Sequence, residues 1–273
     1  MWLGAGMEVD VGISANRHAG RDALPAIHAF WVGRELGPLH AACLRSFVKH
    51  GHKTTLHVYD TPIDVPGGVE LADASRLMKD TEIIRHKKTG SLAIASDIFR
   101  YRILTEGLGV YVDCDVFCLK PVKYRKYLMG WQDDTLVCSA ILAAPPNSDL
   151  VRFLADASND PTFIPPWIKP WKRKTLLIRK AIGIPQKVTT MRWGVIGPTL
   201  LTHAIKKFGL ENETQPIDVF YPLAPKHRPL LKRPGLRLLD LATPNSEVIH
   251  LWNSRFDYQT VPQGSPLDEI LKL

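Results

Sequence analysis

Long apolar runs are missing from this sequence. No stretch of its 273 residues approaches the length that spans a bilayer. Cysteine is scarce. Cys43, Cys114, Cys118 and Cys138 form no C-x-x-C pair, so nothing marks a disulfide framework, and reduced, partly buried thiols are expected. Internal repeats and low-complexity tracts are absent. The first residues, 1–14, lack a basic start followed by an apolar core, and Glu8 and Asp10 interrupt them, so a secretory signal is not expected. These absences together lead to the expectation of a cytoplasmic protein. Acidic residues are outnumbered, and the net charge of +8 favours an anionic partner. Nucleotide phosphates, nucleic acid and an acidic membrane surface all qualify, and a merely basic, solvated surface competes with them. No nucleic-acid-binding motif accompanies the charge, so nucleic acid is not expected as a partner.

What is present reads as an ordinary globular composition with material for a sizeable core. Residues 1–24 read as a loose leader without sustained periodicity, and residues 25–273 as one domain. Residues 26–32 form a short apolar run expected to be a buried strand. A helix is predicted over 38–50 and a second strand over 54–59. A Pro/Gly loop is predicted over 62–68 and a short helix over 72–78. Residues 91–106 carry a broad apolar face and stop at Gly107, as a helix does. The apolar residues 110–112 then run into Asp113-Cys114-Asp115, and 116–119 continue extended up to Pro121. Further on, a strand is predicted over 136–144, helices over 149–157 and 198–208, and an extended segment over 248–252. Strands alternating with helices through the first half predict an α/β layer with a mostly parallel central sheet flanked by helices. Ligands of such sheets sit at the carboxyl ends of the strands, where Trp31, Tyr59 and Asp113 are all expected.

Asp113 and Asp115 offer two hard oxygen donors, suited to Mg²⁺ or Mn²⁺ with water and phosphate completing the shell. In an extended chain, spacing of two points both carboxylates to one side, and a tight turn also converges them. Taken alone, D-x-D more often marks a solvated turn. Burial on both sides of this pair, Val110 to Val112 before it and Val116-Phe117 after it, weighs against that reading. On the preceding helix Asp97 and Arg100, three apart, share a face. They form either an ordinary intrahelical ion pair or a site in which Ser96 and Asp97 meet sugar hydroxyls and Arg100 meets sugar or phosphate. Tyr101 is expected in the core.

The run Ser91-Leu92-Ala93-Ile94-Ala95-Ser96-Asp97-Ile98-Phe99-Arg100-Tyr101, followed by Gly107-Leu108-Gly109-Val110-Tyr111-Val112-Asp113-Cys114-Asp115, resembles the DXD sugar-transferase signature. That signature is shared by fungal mannosyltransferases, bacterial polysaccharide transferases and the catalytic domain of large clostridial glucosylating toxins. Leu108 stands where the family pattern has the first glycine of a Gly-Gly pair, a departure that touches only the local turn. Ile27-His28-Ala29-Phe30-Trp31-Val32-Gly33 is similar to the family's first strand. Gly197-Pro198-Thr199-Leu200-Leu201-Thr202 and His250-Leu251-Trp252 match more loosely, and the clear similarity covers residues 26–121.

The resemblance implies a GT-A-like nucleotide-binding fold, with a nucleotide-sugar half over 25–122 and an acceptor-side half over 123–273. It implies retaining transfer from a UDP- or GDP-sugar to a glycan, glycolipid or protein hydroxyl, in polysaccharide, glycolipid or glycoconjugate synthesis. Carried over residue by residue, it puts Trp31 on the nucleobase, Asp97 and Arg100 on the donor sugar, and Tyr111 on nucleotide or sugar. Asp113 would serve ribose or the metal's water, Asp115 the metal directly, and His250 the metal as a third ligand. Trp31 is equally readable as a core tryptophan and His250 as a buried histidine. Asn253 and Ser254 follow His250 as further oxygen donors, and His28 reads as structural.

Two rivals stand beside this reading. A haloacid-dehalogenase-type phosphatase also places D-x-D after an apolar strand, but here two predicted strands precede the pair and no clear downstream lysine and acidic pair follows. A non-catalytic carbohydrate-binding relative would keep the fold without turnover. Residues 161–180 join Phe163, Trp167 and Trp171 to Lys169, Lys172, Arg173, Lys174, Arg179 and Lys180 without an acid. That composition suits peripheral contact with an anionic inner membrane surface, a flap over the donor site, or a Pro-bent solvated loop.

Overall fold

The computed structural model describes residues 24–254 and 256–273, so the leader read over 1–24 lies outside it except for Leu24. The first strand, β1 (Ile27–Phe30), has all four residues buried, three of them apolar and the fourth, His28, hydrogen-bonded. Helix α1 (Pro38–Lys49) starts with proline in its first turn, where the missing N–H costs nothing. It is followed by β2 (Thr54–Val58) and β3 (Val69–Asp73). Helix α2 (Ala93–Thr105), β4 (Val110–Val112) and β5 (Val116–Cys118) come next. Then follow β6 (Leu128–Trp131), β7 (Val137–Ala143), α3 (Asp149–Asn159), α4 (Pro170–Ala181) and α5 (Pro198–Lys207). The short α6 (Ile217–Phe220), β8 (Val248–His250) and α7 (Pro266–Leu271) complete the set.

The central sheet has six strands in the order β3-β2-β1-β4-β7-β6. The first four are mutually parallel, and β7 and β6 join antiparallel. Side chains of α2, α3 and α5 share one buried cluster on one face of the sheet, and those of α1 pack on the other. A third cluster joins α1 to β8 and α7. This is the mixed α/β class, a mostly parallel central sheet flanked by helices, expected from the sequence.

Three local expectations are corrected. The helix expected over 72–78 is only a 3-10 turn, Ala74–Arg76, because Ala72 and Asp73 end strand β3. That strand is an edge, half exposed, with Leu71 in solvent, so it carries no buried apolar run. Strand β6 was not expected at all. Within the basic stretch 161–180, a Pro-bent loop gives way to helix α4, whose Pro170 occupies the tolerated first turn.

Register explains where the site falls. Ile27 of β1 pairs with Val110 of β4, and His28 with Tyr111. The carboxyl ends of these neighbours therefore deliver Trp31 and Asp113 to the same rim of the sheet. Gly109 makes the approach possible, because a side chain there would strike the Ala26 carbonyl and its φ is 149°. His28 is structural, as expected. Its ring lies between His57, at 3.0 Å, and the Leu108 carbonyl, at 3.1 Å. All four cysteines are buried and free.

Candidate active site

The acidic pair sits on a turn rather than on extended chain. Asp113 and Asp115 leave β4 through a tight bend closed by the Val116 N–H on the Asp113 carbonyl at 3.1 Å, and β5 follows at once. Of the two routes to convergence open in the sequence, the turn is the one used. Strand β5 pairs antiparallel with β8 so that Val116 faces His250. This brings a residue 135 positions away to the pair: His250 Nε2 lies 3.1 and 3.2 Å from the two Asp115 carboxylate oxygens. One ligand atom each from Asp113, Asp115 and His250 falls within 4.8 Å of the others.

Helix α2 holds the rest. Phe99 stacks on Phe30 of β1 at 4.1 Å between ring centroids and fixes the helix against the sheet. Asp97 and Arg100, one turn apart on its buried face, form an ion pair at 2.8 Å. This is no exposed helix pair of small worth. Both side chains are buried, and Arg100 reaches on to Asp113 Oδ1 at 2.7 Å and to the Ser139 hydroxyl on β7. Tyr111 Oη donates to the same Asp113 oxygen at 3.1 Å. Asp113 Oδ2 accepts no bond among the described residues. Tyr101 is in the core, as expected, and donates to the Ile196 carbonyl at 2.7 Å.

A cleft of about 200 Å³ opens over this cluster, with Trp31, His40, Ser96, Tyr111, Asp113 and Asp115 in its walls. Trp31 is half-buried, tilted over His40 at 4.6 Å, with its Nε1–H on the Glu35 carbonyl. Trp31, Ser96, Tyr111, Asp113, Asp115 and Asn253 border this cleft, and Asp97, Arg100 and His250 lie in the ion-paired cluster beneath it. Tyr59, expected at the same rim, instead donates to the Met78 carbonyl at 2.7 Å, and Ser254 is not in the cleft wall.

Burial and charge set the protonation states. Burial pushes Asp97 up to about 7, with Asp113 adding to the rise and Arg100 opposing it. Asp113 is raised by burial against the pull of Arg100. Burial works against the Asp115 carboxylate too, but His250 and the Asn253 N–H outweigh it and bring it down to about 2. The reciprocal holds for His250, where Asp115 overcomes burial and raises the imidazole to about 10.

The donor set fits a divalent cation. Two carboxylates and an imidazole converge, and His250 Nδ1 is buried without a partner among the described residues. With Asp97, Asp113 and Asp115 ionised, Arg100 opposite them and His250 deprotonated to act as a ligand, two negative charges would remain for one divalent ion to cancel.

Several contributors were not found from the sequence. Asn253 gives Asp115 its backbone N–H at 3.1 Å, where an oxygen donor was expected, and its side-chain amide bonds His40 Nε2 at 2.6 Å. Trp252 makes this possible with a left-handed backbone, φ 53°, that a bulky residue adopts only under constraint. Its indole donates to the Leu223 carbonyl at 2.6 Å, and Arg228 holds the carbonyls of Trp252 and Ser254. Ser139 had a readable signal, a hydroxyl in an otherwise apolar strand. Gly197 packs so closely on the Asp97 carboxylate that any side chain there would collide with it.

Residues 40–137 match the family described as glycosyltransferase sugar-binding region containing DXD motif. The chain therefore carries a DXD-type glycosyltransferase region, which holds Asp97, Arg100, Tyr111, Asp113 and Asp115, with Trp31 and His250 outside its bounds. Among curated proteins, it is similar to subversion of eukaryotic traffic protein A of Legionella pneumophila, 22% identical over 175 residues. That match covers 56% of this chain and 25% of the relative, so the chain spans about a quarter of the relative's length. Among solved structures, it is similar to the PaToxG glycosyltransferase, with a TM-score of 0.44 and 16% identity over 70% of this chain and 72% of that one. A transferase bearing two cysteine-to-serine substitutions shares 11% identity with a TM-score of 0.34, over 62% of this chain and 88% of that one.

Proposed function

We propose that this protein is a metal-dependent, retaining glycosyltransferase that moves a sugar from a UDP- or GDP-sugar to an acceptor hydroxyl of a glycan, glycolipid or protein. The observation that carries the reading is the meeting of Asp113, Asp115 and His250 beneath a cleft bordered by Trp31, with the Asp97–Arg100 pair locked to Asp113. In this reading residues 25–122 bind the nucleotide sugar, and 123–273 build the acceptor side.

Asp113, Asp115 and His250 would hold Mn²⁺ or Mg²⁺. Such an ion, when bound, stabilises the charge that builds on the departing diphosphate. The chain's own residues do the rest. Trp31 offers a flat face to the nucleobase. Arg100 keeps Asp97 and Asp113 in fixed orientation, so neither carboxylate must reorganise during reaction. Ser96 and Tyr111 offer hydroxyls to the donor from the cleft wall. Asp97, raised to about 7, can accept from or donate to a sugar hydroxyl. Among the described residues, no lysine lines the cleft, which disfavours the phosphatase alternative. The outer side of α4, with Arg173, Lys174 and Leu177, supports peripheral contact with an anionic membrane surface, and co-sedimentation with anionic vesicles is its test. Among the described residues, no helix is long and apolar enough to cross a membrane.

The test is release of nucleoside diphosphate from a panel of UDP- and GDP-sugars in Mn²⁺. Turnover of at least one donor is expected in the wild type, with none in folded Asp115→Ala. Undiminished turnover in that variant, or in excess chelator, would refute the metal-site assignment, and an inverted anomeric product would refute retention.

A further inference from the structure

Away from the donor cleft, an open groove of about 510 Å³ runs between α4 and the segment 191–199. No residue of α4 is buried. The helix nevertheless turns one consistent stripe into the groove, Trp171, Lys172, Thr175, Leu176 and Arg179, spaced as one helix face. Arg192 and Trp193 face it from the other wall. Trp171 is 63% exposed and Trp193 56%, far more than tryptophans that serve packing alone. Trp167, by contrast, is packed on Phe163 and His203 and anchors the wall.

Charge in the groove is of one sign. Among the described residues, Lys172, Arg179 and Arg192 line it, no carboxylate does, and none of the three has an ion-pair partner. Unopposed cations beside exposed indoles select for a ligand that offers both an anion and a flat C–H-rich face. A saccharide ring with a carboxylate or phosphate has both, and Thr175, Gln186 and Thr199 are at hand for its hydroxyls.

The groove also shares a wall with the donor site. Val195 and Thr199 line it, while Gly197 between them presses on the Asp97 carboxylate and the Ile196 carbonyl takes the Tyr101 hydroxyl. A ligand in the groove therefore lies against the same short segment that backs the sugar-binding end of α2.

We infer that this groove is the acceptor site, and that it takes an anionic saccharide, a sugar carrying carboxylate or phosphate. The inference rests on the glycosyltransferase reading. In the reaction, the bond from the donor's anomeric carbon to the diphosphate oxygen breaks and one to the acceptor oxygen forms. The acceptor's hydroxyl proton leaves with the diphosphate.

Tryptophan-fluorescence titration tests this with three probes: an oligogalacturonate tetramer, maltotetraose as its neutral counterpart, and phosphatidylglycerol vesicles. The variant is Arg192→Gln/Trp193→Ala, both exposed side chains outside the donor machinery, with folding checked by its melting curve. The wild type should bind the uronate tetramer more tightly than the neutral one, the difference shrinking with salt. The double variant should bind it about tenfold more weakly. Equal uronate binding by wild type and variant, or neutral binding as tight as uronate, overturns the inference. So does a loss confined to vesicle binding. Binding of UDP with Mn²⁺ is measured alongside and should be unchanged in the variant. If wild type fails to bind UDP–Mn²⁺ while the saccharide results hold, the donor reading falls and the saccharide site stands.

Discussion

Titrating Mn²⁺ into the metal-free protein should raise its melting temperature by about 5–10 °C. The magnitude follows from the cluster. Asp113, Asp115 and His250 converge within 4.8 Å around an uncompensated negative charge, and they come together only in the folded chain, since His250 is 135 residues from Asp115. An ion that binds only the folded state adds about 2.7 kcal/mol at a hundred times its dissociation constant. For a domain of this size, each kcal/mol moves the melting temperature by about 2–4 °C. The proton on His250 competes with the ion. Asp115 raises that imidazole to about 10, so at neutral pH the ion must displace a proton. Affinity should then climb about tenfold per pH unit between pH 6.5 and 9. Differential scanning fluorimetry over a metal series, repeated across pH, reads both effects. Asp115→Asn keeps the shape and removes the charge, and it should show less than about 1 °C of shift relative to its own metal-free curve. No shift in the wild type, an equal shift in Asp115→Asn, or an affinity indifferent to pH would each refute the reasoning.

Two further outcomes are expected. Gly197→Ala places a methyl group on the Asp97 carboxylate, an overpacking that costs about 1–3 kcal/mol and displaces Asp97 from Arg100. It should therefore lower sugar-nucleotide affinity while leaving free UDP binding near wild type, as calorimetry would show, and unchanged affinity for both would contradict the packing argument. The buried His28–His57 pair predicts sensitivity to acid. Burial, with His28 alongside, lowers His57 to about 4, below its unfolded value of 6.5. Between these limits the unfolded chain binds more protons, so stability falls as pH drops from about 6.5 to about 4, by about 3 kcal/mol from this group. Asp97 acts in the opposite direction over part of this range, so the informative quantity is the difference between wild type and His57→Gln. Urea midpoints for the two should converge as pH falls, and parallel curves would exclude His57 as the cause.

The first half of the fold was legible because its elements are strong and local. Strands β1, β2 and β4 are fully buried, β1 and β4 as mainly apolar runs and β2 as an alternating one, and α1 and α2 carry broad apolar faces ending at Gly51 and Gly107. Edge strand β3 was missed because half of it faces water, which erases the pattern. Helix α4 was obscured because it buries nothing, so its apolar residues follow no core-facing stripe. At the site, side chains within one motif were readable: Asp97 and Arg100 by helical spacing, Asp113 and Asp115 by their strand. Contributions made by the backbone were not. The Asn253 N–H reaches Asp115 only through the left-handed turn at Trp252, and residue type at 252 gives no hint of that. His40 comes to the cleft by tertiary packing, and no local pattern marks it.

The guanidinium of Arg100 joins Asp97 on its own helix to Asp113 at the end of β4. One cation divided between two acids makes them thermodynamically dependent. Neutralising Asp97 would leave the whole charge of Arg100 to Asp113, dimming it as a ligand for metal, and neutralising Asp113 would tighten the hold on Asp97. Effects of substitutions at the two positions would therefore not add, and a double-mutant cycle would return a sizeable coupling. A change at either acid therefore alters the electrostatic setting of the other through Arg100.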